Sequence, residues 1–234
     1  MAQKKLERFA AIKTFYNVLE YPVEMKGKWN NFFKNENPLV LELACGRGEY
    51  TVGLAKLFPH QNFIGVDVKG NRMFIGAKKC LAEKIINAGF LRTQIEKLAD
   101  YFATGEVDEI WITFPDPQLR VSKAKKRLTH PRFLRLYQQI LKPGGFIHLK
   151  TDSPDLYRFT KKVAELYNLV IVADWDNVYA QPQVKEALKI KTHYESLDIA
   201  QSKKIHYLKF TLPPEIKNID DELQEILRDE EHLD

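Results

Sequence analysis

The chain has 234 residues, of which 29% are charged and 44% are hydrophobic. This hydrophobic fraction is enough for one substantial core. No apolar run reaches the length of a membrane-spanning helix, residues 1–8 do not form a secretory signal, and two cysteines make neither a disulfide framework nor a metal site. We therefore expect a cytoplasmic protein with one main domain, no membrane segment and no bound metal.

The net charge of +5 is unevenly distributed along the chain. Residues 215–234 contain nine acids and two bases, so residues 1–214 carry a net charge of +12. Between Pro117 and Thr151 there is no acid, and nine residues are Lys or Arg. Charge that only keeps a protein soluble has both signs interspersed, whereas a basic stretch of this kind is typical of polyanion binding. The charge pattern thus favours nucleic acid as a partner.

Apolar periodicity predicts alternating helices and strands along the chain. The first helix is expected at 4–20, with basic residues between its apolar positions, and it is stopped by Pro22 and Gly27. Strands are then predicted at 38–44, 62–66, 90–93, 107–114, 146–150, 169–173 and 205–210. Helices are predicted at 50–58, 72–88, 130–141 and 155–167, with Gly89 as the C-cap of the second.

This alternation predicts an α/β fold with a mostly parallel sheet and helices on both faces. We expect an N-terminal basic helical extension at 1–30, the main domain at 31–214 and an acidic C-terminal tail at 215–234. Ligands of open parallel sheets bind beyond the carboxyl ends of the strands. Residues that directly follow the strands are therefore the candidates for a functional site.

A glycine-rich loop follows the strand predicted at 38–44. Gly46 and Gly48 permit a tight turn in which the backbone comes close to a ligand. A dinucleotide-binding loop would have a third glycine where Thr51 stands, and the Gly-Lys-Ser or Gly-Lys-Thr end of a Walker loop is missing. Phosphate binding at this loop is therefore not indicated.

Two acids near the loop indicate a different ligand. Asp67 ends the strand after the loop, where a carboxylate can accept hydrogen bonds from both ribose hydroxyls of an adenosine. Glu42 precedes the loop, where a carboxylate would repel pyrophosphate but suits the ammonium and sulfonium of S-adenosylmethionine (SAM). The alternative for Glu42 is a salt bridge at the strand end. Loop and acids together predict a SAM site.

Further motifs stand after later strands and near the C-terminus. They are Phe-Pro-Asp-Pro (FPDP) at 114–117, the basic run at 125–128, Leu-Lys-Pro-Gly-Gly at 141–145, Leu-Lys-Thr-Asp at 149–152 and Thr-His-Tyr-Glu at 192–195. In order and spacing they resemble the bacterial tRNA (guanine-N7)-methyltransferase family, over roughly residues 39–210. The resemblance implies a Rossmann-like class I methyltransferase fold, SAM as cofactor and tRNA as partner. It also implies N7 of guanosine 46 as the methyl acceptor.

The loop and the resemblance together give candidate site residues. The cofactor-binding candidates are Glu42, Gly46, Gly48, Asp67, Gln94 and Asp116. The resemblance implies that Arg120, Asp152, Thr192 and Glu195 contact the substrate guanine, with Asp116, Asp152 and Glu195 as catalytic candidates. Basic residues expected at RNA phosphates are Lys123, Lys125, Lys126 and Arg127, together with Arg132 and Arg135.

The sequence departs from the family pattern near the site. After FPDP the family usually has Trp-Pro-Lys-Lys, whereas this chain has Gln-Leu-Arg-Val at 118–121, so Arg120 stands where a substrate-contacting Lys is expected. Gln94 stands where the family has an Asp beside the adenine, and its amide can still bond the adenine edge. Both changes bear on tRNA recognition more than on the chemistry.

Guanine N7 has an in-plane lone pair and no proton, so its attack on a sulfonium methyl needs no general base. The carboxylates are expected to position the base and to favour the cationic product. Structural alternatives stay open: Asp152 as a helix N-cap, Thr192 and Glu195 as a capping box, and the basic run as a solvated helix face.

Other functions also stay open. One is methylation of another RNA site or of a protein side chain, and another is an inactive scaffold that binds SAM and RNA. The sequence is compatible with either a monomer or a homodimer.

Overall fold

A computed structural model describes residues 2–197, 201 and 204–231. Within these residues the strands are β1 (Val18–Glu20), β2 (Leu39–Leu43), β3 (Asn62–Asp67), β4 (Ala88–Arg92), β5 (Val107–Thr113), β6 (Leu141–Thr151), β7 (Val170–Trp175) and β8 (His206–Thr211). The α-helices are α1 (Ala2–Ile12), α2 (Trp29–Phe33), α3 (Glu49–Leu57), α4 (Gly70–Ala82), α5 (Leu98–Tyr101), α6 (Pro131–Ile140), α7 (Pro154–Leu166), α8 (Glu186–Lys189) and α9 (Asp220–Glu231).

All eight strands belong to one sheet, in the order β1-β4-β3-β2-β5-β6-β8-β7. Pairing is parallel from β1 through β6, and β8 pairs antiparallel with both β6 and β7. The chain moves outward from β2 to β3 and β4, and then returns to the other side of β2 with β5. Strand order therefore reverses beside β2, where a crevice forms at the carboxyl ends of open α/β sheets.

The sheet is covered on both faces, as predicted. Leu41 of β2 belongs to a core with α2, α5, α6, α7 and α9, whereas Val40 belongs to a core with α1, α3, α4 and α8. Successive side chains of a strand point to opposite faces, so a continuous apolar run such as β2 supplies both cores. The α/β fold class with a mostly parallel sheet is confirmed.

The helix predicted at 4–20 is wrong at its C-terminal end. Helix α1 stops at Ile12, and Val18–Glu20 instead forms the edge strand β1 beside β4. Buried Asn17, just before β1, ties this segment to β4 and α4. Its backbone carbonyl accepts from the Phe90 N–H (2.8 Å), and its side-chain amide donates to the Ala77 carbonyl (3.1 Å). These tertiary hydrogen bonds override a helical spacing in the sequence.

Gly89 is not a C-cap, and the helix predicted to end beside it is shorter. Helix α4 ends at Ala82, and the left-handed residue that follows is Lys84, with φ 54°. Gly89 lies inside β4, where a Cβ atom would stand 2.9 Å from Cε1 of Phe32. The missing side chain therefore allows α2 to pack closely on the sheet.

The predicted acidic tail contains a docked helix over its described part. Leu223 and Leu227 of α9 are buried in the core, and Asp220 accepts from the Arg135 guanidinium (2.5 Å) and the Tyr167 hydroxyl (2.8 Å). Residues 232–234 of the tail lie outside the described residues. The domain boundaries at 30 and 214 stay a prediction, although segments beyond both of them pack on the same sheet.

No helix in the described part of the chain is long and apolar enough to cross a membrane. In the same residues there is no group of three or more His, Cys, Asp or Glu side chains that could hold a metal ion.

Candidate active site

The candidate residues from distant parts of the chain meet at one edge of the sheet. The glycine loop follows β2, Asp67 ends β3, Gln94 follows β4, the FPDP loop follows β5 and Asp152 follows β6. These strands are parallel, so their carboxyl ends share that edge. The topology therefore brings together what the sequence spreads from Gly46 to Asp152.

The glycine loop is a tight turn that excludes side chains. Gly46 and Gly48 have left-handed φ values of 56° and 73°, and a Cβ on Gly48 would lie 2.5 Å from Cε1 of Phe90. The loop is tied to β3, because the Gly46 N–H donates to Oδ2 of Asp67 at 2.9 Å. Asp67 thus also has a structural role, and its Oδ1 accepts from the Lys69 N–H at 2.8 Å.

A pocket of about 400 Å³ opens beside this loop. Asp67 and Gln94 line it together with apolar groups that include Phe133. Thr93 also lines the pocket and is buried, and its Oγ1 has no hydrogen-bond partner among the described residues. A carboxylate, an amide, a hydroxyl and apolar walls suit the ribose and adenine of an adenosine, and the volume is that of a small-molecule site.

The sequence interpretation missed two of these pocket residues. Thr93 directly follows the end of β4, so the rule that pointed to Gln94 could also have found it. Phe133 lies in α6, far along the chain, and no local pattern indicates its place at the pocket.

Glu42 lies behind the loop and is not among the residues that line the pocket. It is buried; its Oε2 accepts from the Thr51 N–H (2.7 Å) and hydroxyl, and its Oε1 accepts from the Thr113 hydroxyl (2.8 Å). Burial raises the pKa of Glu42 to about 7, against the effect of these hydrogen bonds. No ion pair of Glu42 occurs within the described residues, so the alternative of a strand-end salt bridge is wrong.

The FPDP loop adopts an unusual backbone path. Phe114 and Gln118 have left-handed φ values of 47° and 48°, and the Phe114 N–H donates to the Lys150 carbonyl at 2.8 Å. Asp116 is exposed, and its Oδ1 accepts from the Gln118 N–H at 3.1 Å. The carboxylate of Asp116 is therefore presented to solvent on a loop anchored to β6.

Arg127 departs from the phosphate role predicted for it. Its side chain is buried, and its guanidinium donates to the carbonyls of Pro117 (3.2 Å), Gln118 (3.2 Å) and Leu119 (3.1 Å). Burial lowers the pKa of Arg127. The guanidinium thus holds the backbone that follows FPDP in place. Little of this buried group is left to contact RNA. The sequence does not indicate this role, because Arg127 lies eight to ten positions after the carbonyls that it binds.

Four other basic side chains are exposed around the short 3₁₀ helix Val121–Lys126. They are Arg120, Lys123, Lys125 and Lys126. Within the described part of the chain none of the four forms an ion pair. By contrast, Arg132 pairs with Glu96 at 3.4 Å and Arg135 pairs with Asp220, so these two bases are partly neutralised. Lys126 also lines the pocket, which links the basic surface to the candidate SAM site.

Asp152 follows β6 but does not cap the next helix. The N-cap of α7 is Ser153, whose Oγ accepts from the Leu156 N–H at 3.2 Å. The capping alternative for Asp152 is therefore wrong. Asp152 is half-buried at the carboxyl end of the strand that pairs with β5.

Thr192 and Glu195 form only half of a capping box. Oγ1 of buried Thr192 accepts from the Glu195 N–H at 3.1 Å, as in that motif. The carboxylate of Glu195 instead accepts from the Lys150 ammonium at 2.9 Å and from the Tyr179 hydroxyl. Its side chain is only 5% exposed. The sequence interpretation assigned no role to Lys150 or Tyr179.

The segment that carries these residues also reaches the glycine loop. A Cβ on Gly46 would lie 3.8 Å from the ring of Tyr194, and the Arg72 guanidinium lies 5.6 Å from the centre of that ring. Residues 192–195 therefore extend from the end of β6 to the candidate SAM site.

Known proteins resemble this chain in sequence and in fold. Residues 36–208 match the family described as "Putative methyltransferase". A tRNA (guanine-N(7)-)-methyltransferase of Bacteroides thetaiotaomicron is 47% identical, covering 92% of this chain and 88% of its own length. The protein of that name from Porphyromonas gingivalis is 50% identical, covering 86% of each chain.

Solved structures share the fold at low sequence identity. The 16S rRNA methyltransferase KamB aligns with a TM-score of 0.62 at 16% identity, over 82% of this chain and 95% of its own. A 30S ribosomal A1408 methyltransferase from an uncultured bacterium gives a TM-score of 0.57 at 21% identity, over 80% and 93%. These likenesses establish a Rossmann-like methyltransferase fold.

Proposed function

Since this chain belongs to the tRNA (guanine-N(7)-)-methyltransferase family, we propose that it transfers a methyl group from SAM to N7 of a guanosine in tRNA. The observation that carries the proposal is the pocket beside Asp67 and Gln94, which adjoins the exposed basic surface through Lys126. A small-molecule site and a polyanion surface thus share one edge of the sheet.

The pocket residues fit the cofactor. The Asp67 carboxylate keeps acceptor capacity for ribose hydroxyls beyond its two backbone donors, and the Gln94 amide can bond an adenine edge. Bound SAM supplies a methyl group on a positively charged sulfur, which is a good leaving group. Gly46 and Gly48 allow a close approach of the backbone. Glu42 lies behind the loop with a pKa raised to about 7, and its ionised form would favour a cation.

The carboxylates at the sheet edge act by position and charge. Asp116, Asp152 and Glu195 are acceptors that suit guanine N1–H and the exocyclic amine, whereas N7 has no proton to lose. A nearby negative charge favours a base that becomes cationic. Arg120, Lys123, Lys125 and Lys126 would hold phosphates around the target nucleotide, whose base must be exposed to enter the site.

We further propose guanosine 46 of the variable loop as the target and the cytoplasm as the place of action. The test is a methyl-transfer assay with tritiated SAM on bulk tRNA, followed by nucleoside analysis. We expect 7-methylguanosine as the labelled product. A transcript with adenosine at position 46 is the matched control and should take up no label.

The rival functions predict different products in this assay. Label in another nucleoside would indicate a different RNA site, and label in protein would indicate a side-chain acceptor. Absence of transfer despite binding of SAM and tRNA would indicate a scaffold. Each of these results contradicts the proposal.

A further inference from the structure

Lys150 is a fully buried lysine at the carboxyl end of β6. Its ammonium donates to the carbonyls of Leu188 (2.9 Å) and Ile190 (3.0 Å) and to Oε2 of Glu195 (2.9 Å). A lysine ammonium has three N–H donors, so this arrangement uses them all. Lysine is almost never fully buried unless it is paired, and here the partners are all on one segment.

The surroundings of this ammonium are aromatic and dry. The rings of Tyr50, Phe114 and Tyr179 have centres 5.3, 5.5 and 5.8 Å from Nζ. Burial lowers the pKa of Lys150, whereas the Glu195 carboxylate raises it. A buried ion pair loses much of its attraction to desolvation and is weak evidence of a role in stability. The burial of the Lys150–Glu195 pair is better explained if the pair fixes the geometry of neighbouring groups.

The same residue contacts two loops of the site. Its carbonyl accepts from the Phe114 N–H at the start of the FPDP loop, and its ammonium holds the segment that carries Thr192 and Glu195. Glu195 accepts one hydrogen bond at each oxygen, from Lys150 and from Tyr179. A carboxylate has about four acceptor positions, so each oxygen keeps capacity for a base edge.

We propose that Lys150 is a positioning residue for the methyl acceptor, which fixes Glu195 and Thr192 beside the FPDP loop so that guanine meets preformed acceptors. The inference rests on the proposed function, because it assigns the segment around Glu195 to the guanine. Lys150 acts through Glu195 and does not itself contact the base. Tyr179 supports the same carboxylate from its other oxygen.

The role is separable from cofactor binding. No residue between 178 and 197 is among those that line the pocket beside Asp67. The segment approaches the glycine loop at Tyr194, whereas the ammonium bonds Leu188, Ile190 and Glu195. Loss of the ammonium should therefore loosen the acceptor side of the site and leave the pocket beside Asp67 in place.

The test is Lys150→Met in the full chain, assayed on tRNA at saturating SAM. A misplaced acceptor group should lower kcat by about 10- to 1000-fold, the scale for one preorganised electrostatic group. The affinity for S-adenosylhomocysteine, measured by calorimetry, should stay within about threefold, a change of roughly 0.7 kcal/mol. Lys142→Met, at the other end of β6 and paired there with Asp108, should keep the wild-type kcat.

A double-variant cycle separates positioning from general stability. If both side chains serve one link, Lys150→Met with Glu195→Gln should be about as slow as the slower single variant. Multiplied losses, or a folded Lys150→Met with wild-type kcat, would overturn the inference. If Lys150→Met does not fold, Tyr179→Phe removes the other support and should lower kcat with cofactor affinity unchanged; an unchanged kcat there would also overturn it.

The proposed function can fail independently. If wild-type protein does not methylate guanine N7 in tRNA, the function is wrong before any variant is compared. If wild-type protein does so and the Lys150 cycle behaves as two independent sites, only the positioning role is wrong.

Discussion

At the scale of single residues, burial decides what a carboxylate does. Asp67 accepts two backbone donors and still lines the pocket, whereas Glu42 is enclosed and bonded to Thr51 and Thr113. Thr51 stands where a dinucleotide-binding loop would have its third glycine, and there it satisfies the buried acid. The residue that argued against phosphate binding therefore holds the acid that suits a cationic cofactor.

The raised pKa of Glu42 predicts a pH-dependent cost to stability. The folded state holds this proton more tightly than the unfolded state, so the free energy of unfolding should fall as pH rises from about 4.5 to about 7 and then level off. The full effect is on the order of 3 kcal/mol. Glu42→Gln should remove that fall, as measured by urea unfolding from pH 4.5 to 8.

The exposed residue Glu225 provides the control substitution, Glu225→Gln. A constant difference between wild-type protein and Glu42→Gln across this pH range would mean that Glu42 does not titrate there in the folded protein.

At the scale of elements, the segment after FPDP has a buried anchor and an exposed basic surface. Arg127 binds three carbonyls behind the loop, whereas Lys125 and Lys126 are exposed. One run of basic residues therefore divides into a structural member and candidate phosphate contacts, because Arg127, at the C-cap of the short helix, is buried whereas the two lysines face solvent.

Lys125→Ala with Lys126→Ala should reduce the slope of log K against log salt for tRNA binding by about two, since each phosphate contact contributes roughly one. Thermal stability should be nearly unchanged. Arg127→Met should instead lower stability by about 1–3 kcal/mol, because it removes a buried side chain that donates to three carbonyls. Binding at several salt concentrations and thermal unfolding measure the two effects.

Lys78→Ala with Lys79→Ala in α4 is the matched control for net charge, on the other face of the sheet. If this pair reduces the slope as much as the first, the effect is one of overall charge, and Lys125 and Lys126 are not specific contacts.

At the scale of the whole molecule, both terminal segments of the described chain pack on one sheet or extend it. Strand β1 extends the edge beside β4, and α9 buries Leu223 and Leu227 against the core on one face. The acidic helix thus belongs to the folded unit, despite a composition that differs from the rest of the chain.

Leu223→Ala should therefore destabilise the whole molecule by about 2–5 kcal/mol, the cost of a large-to-small change in a core. Tryptophan fluorescence and far-ultraviolet circular dichroism should report one coincident transition at lower denaturant. Leu6→Ala, at a position 69% exposed in α1, should have little effect. A wild-type midpoint for Leu223→Ala would show that the tail is an appendage.

The sequence by itself determined the α/β fold and the residues that follow each strand. Local patterns suffice there, because apolar runs define buried strands and parallel strands bring their carboxyl ends to one edge. The glycines after β2 and the acid that ends β3 could therefore be assigned to one site before any contact was known.

Only the tertiary structure decided which polar groups serve each other. Lys150 and Glu195 are 45 positions apart, Arg127 binds carbonyls eight to ten positions away, and Val18–Glu20 became a strand because β4 lay beside it. These outcomes depend on desolvation and on long-range hydrogen bonds, which exist only after the sheet has assembled. A residue type shows what a side chain can bond, but burial and neighbours select the bond it makes.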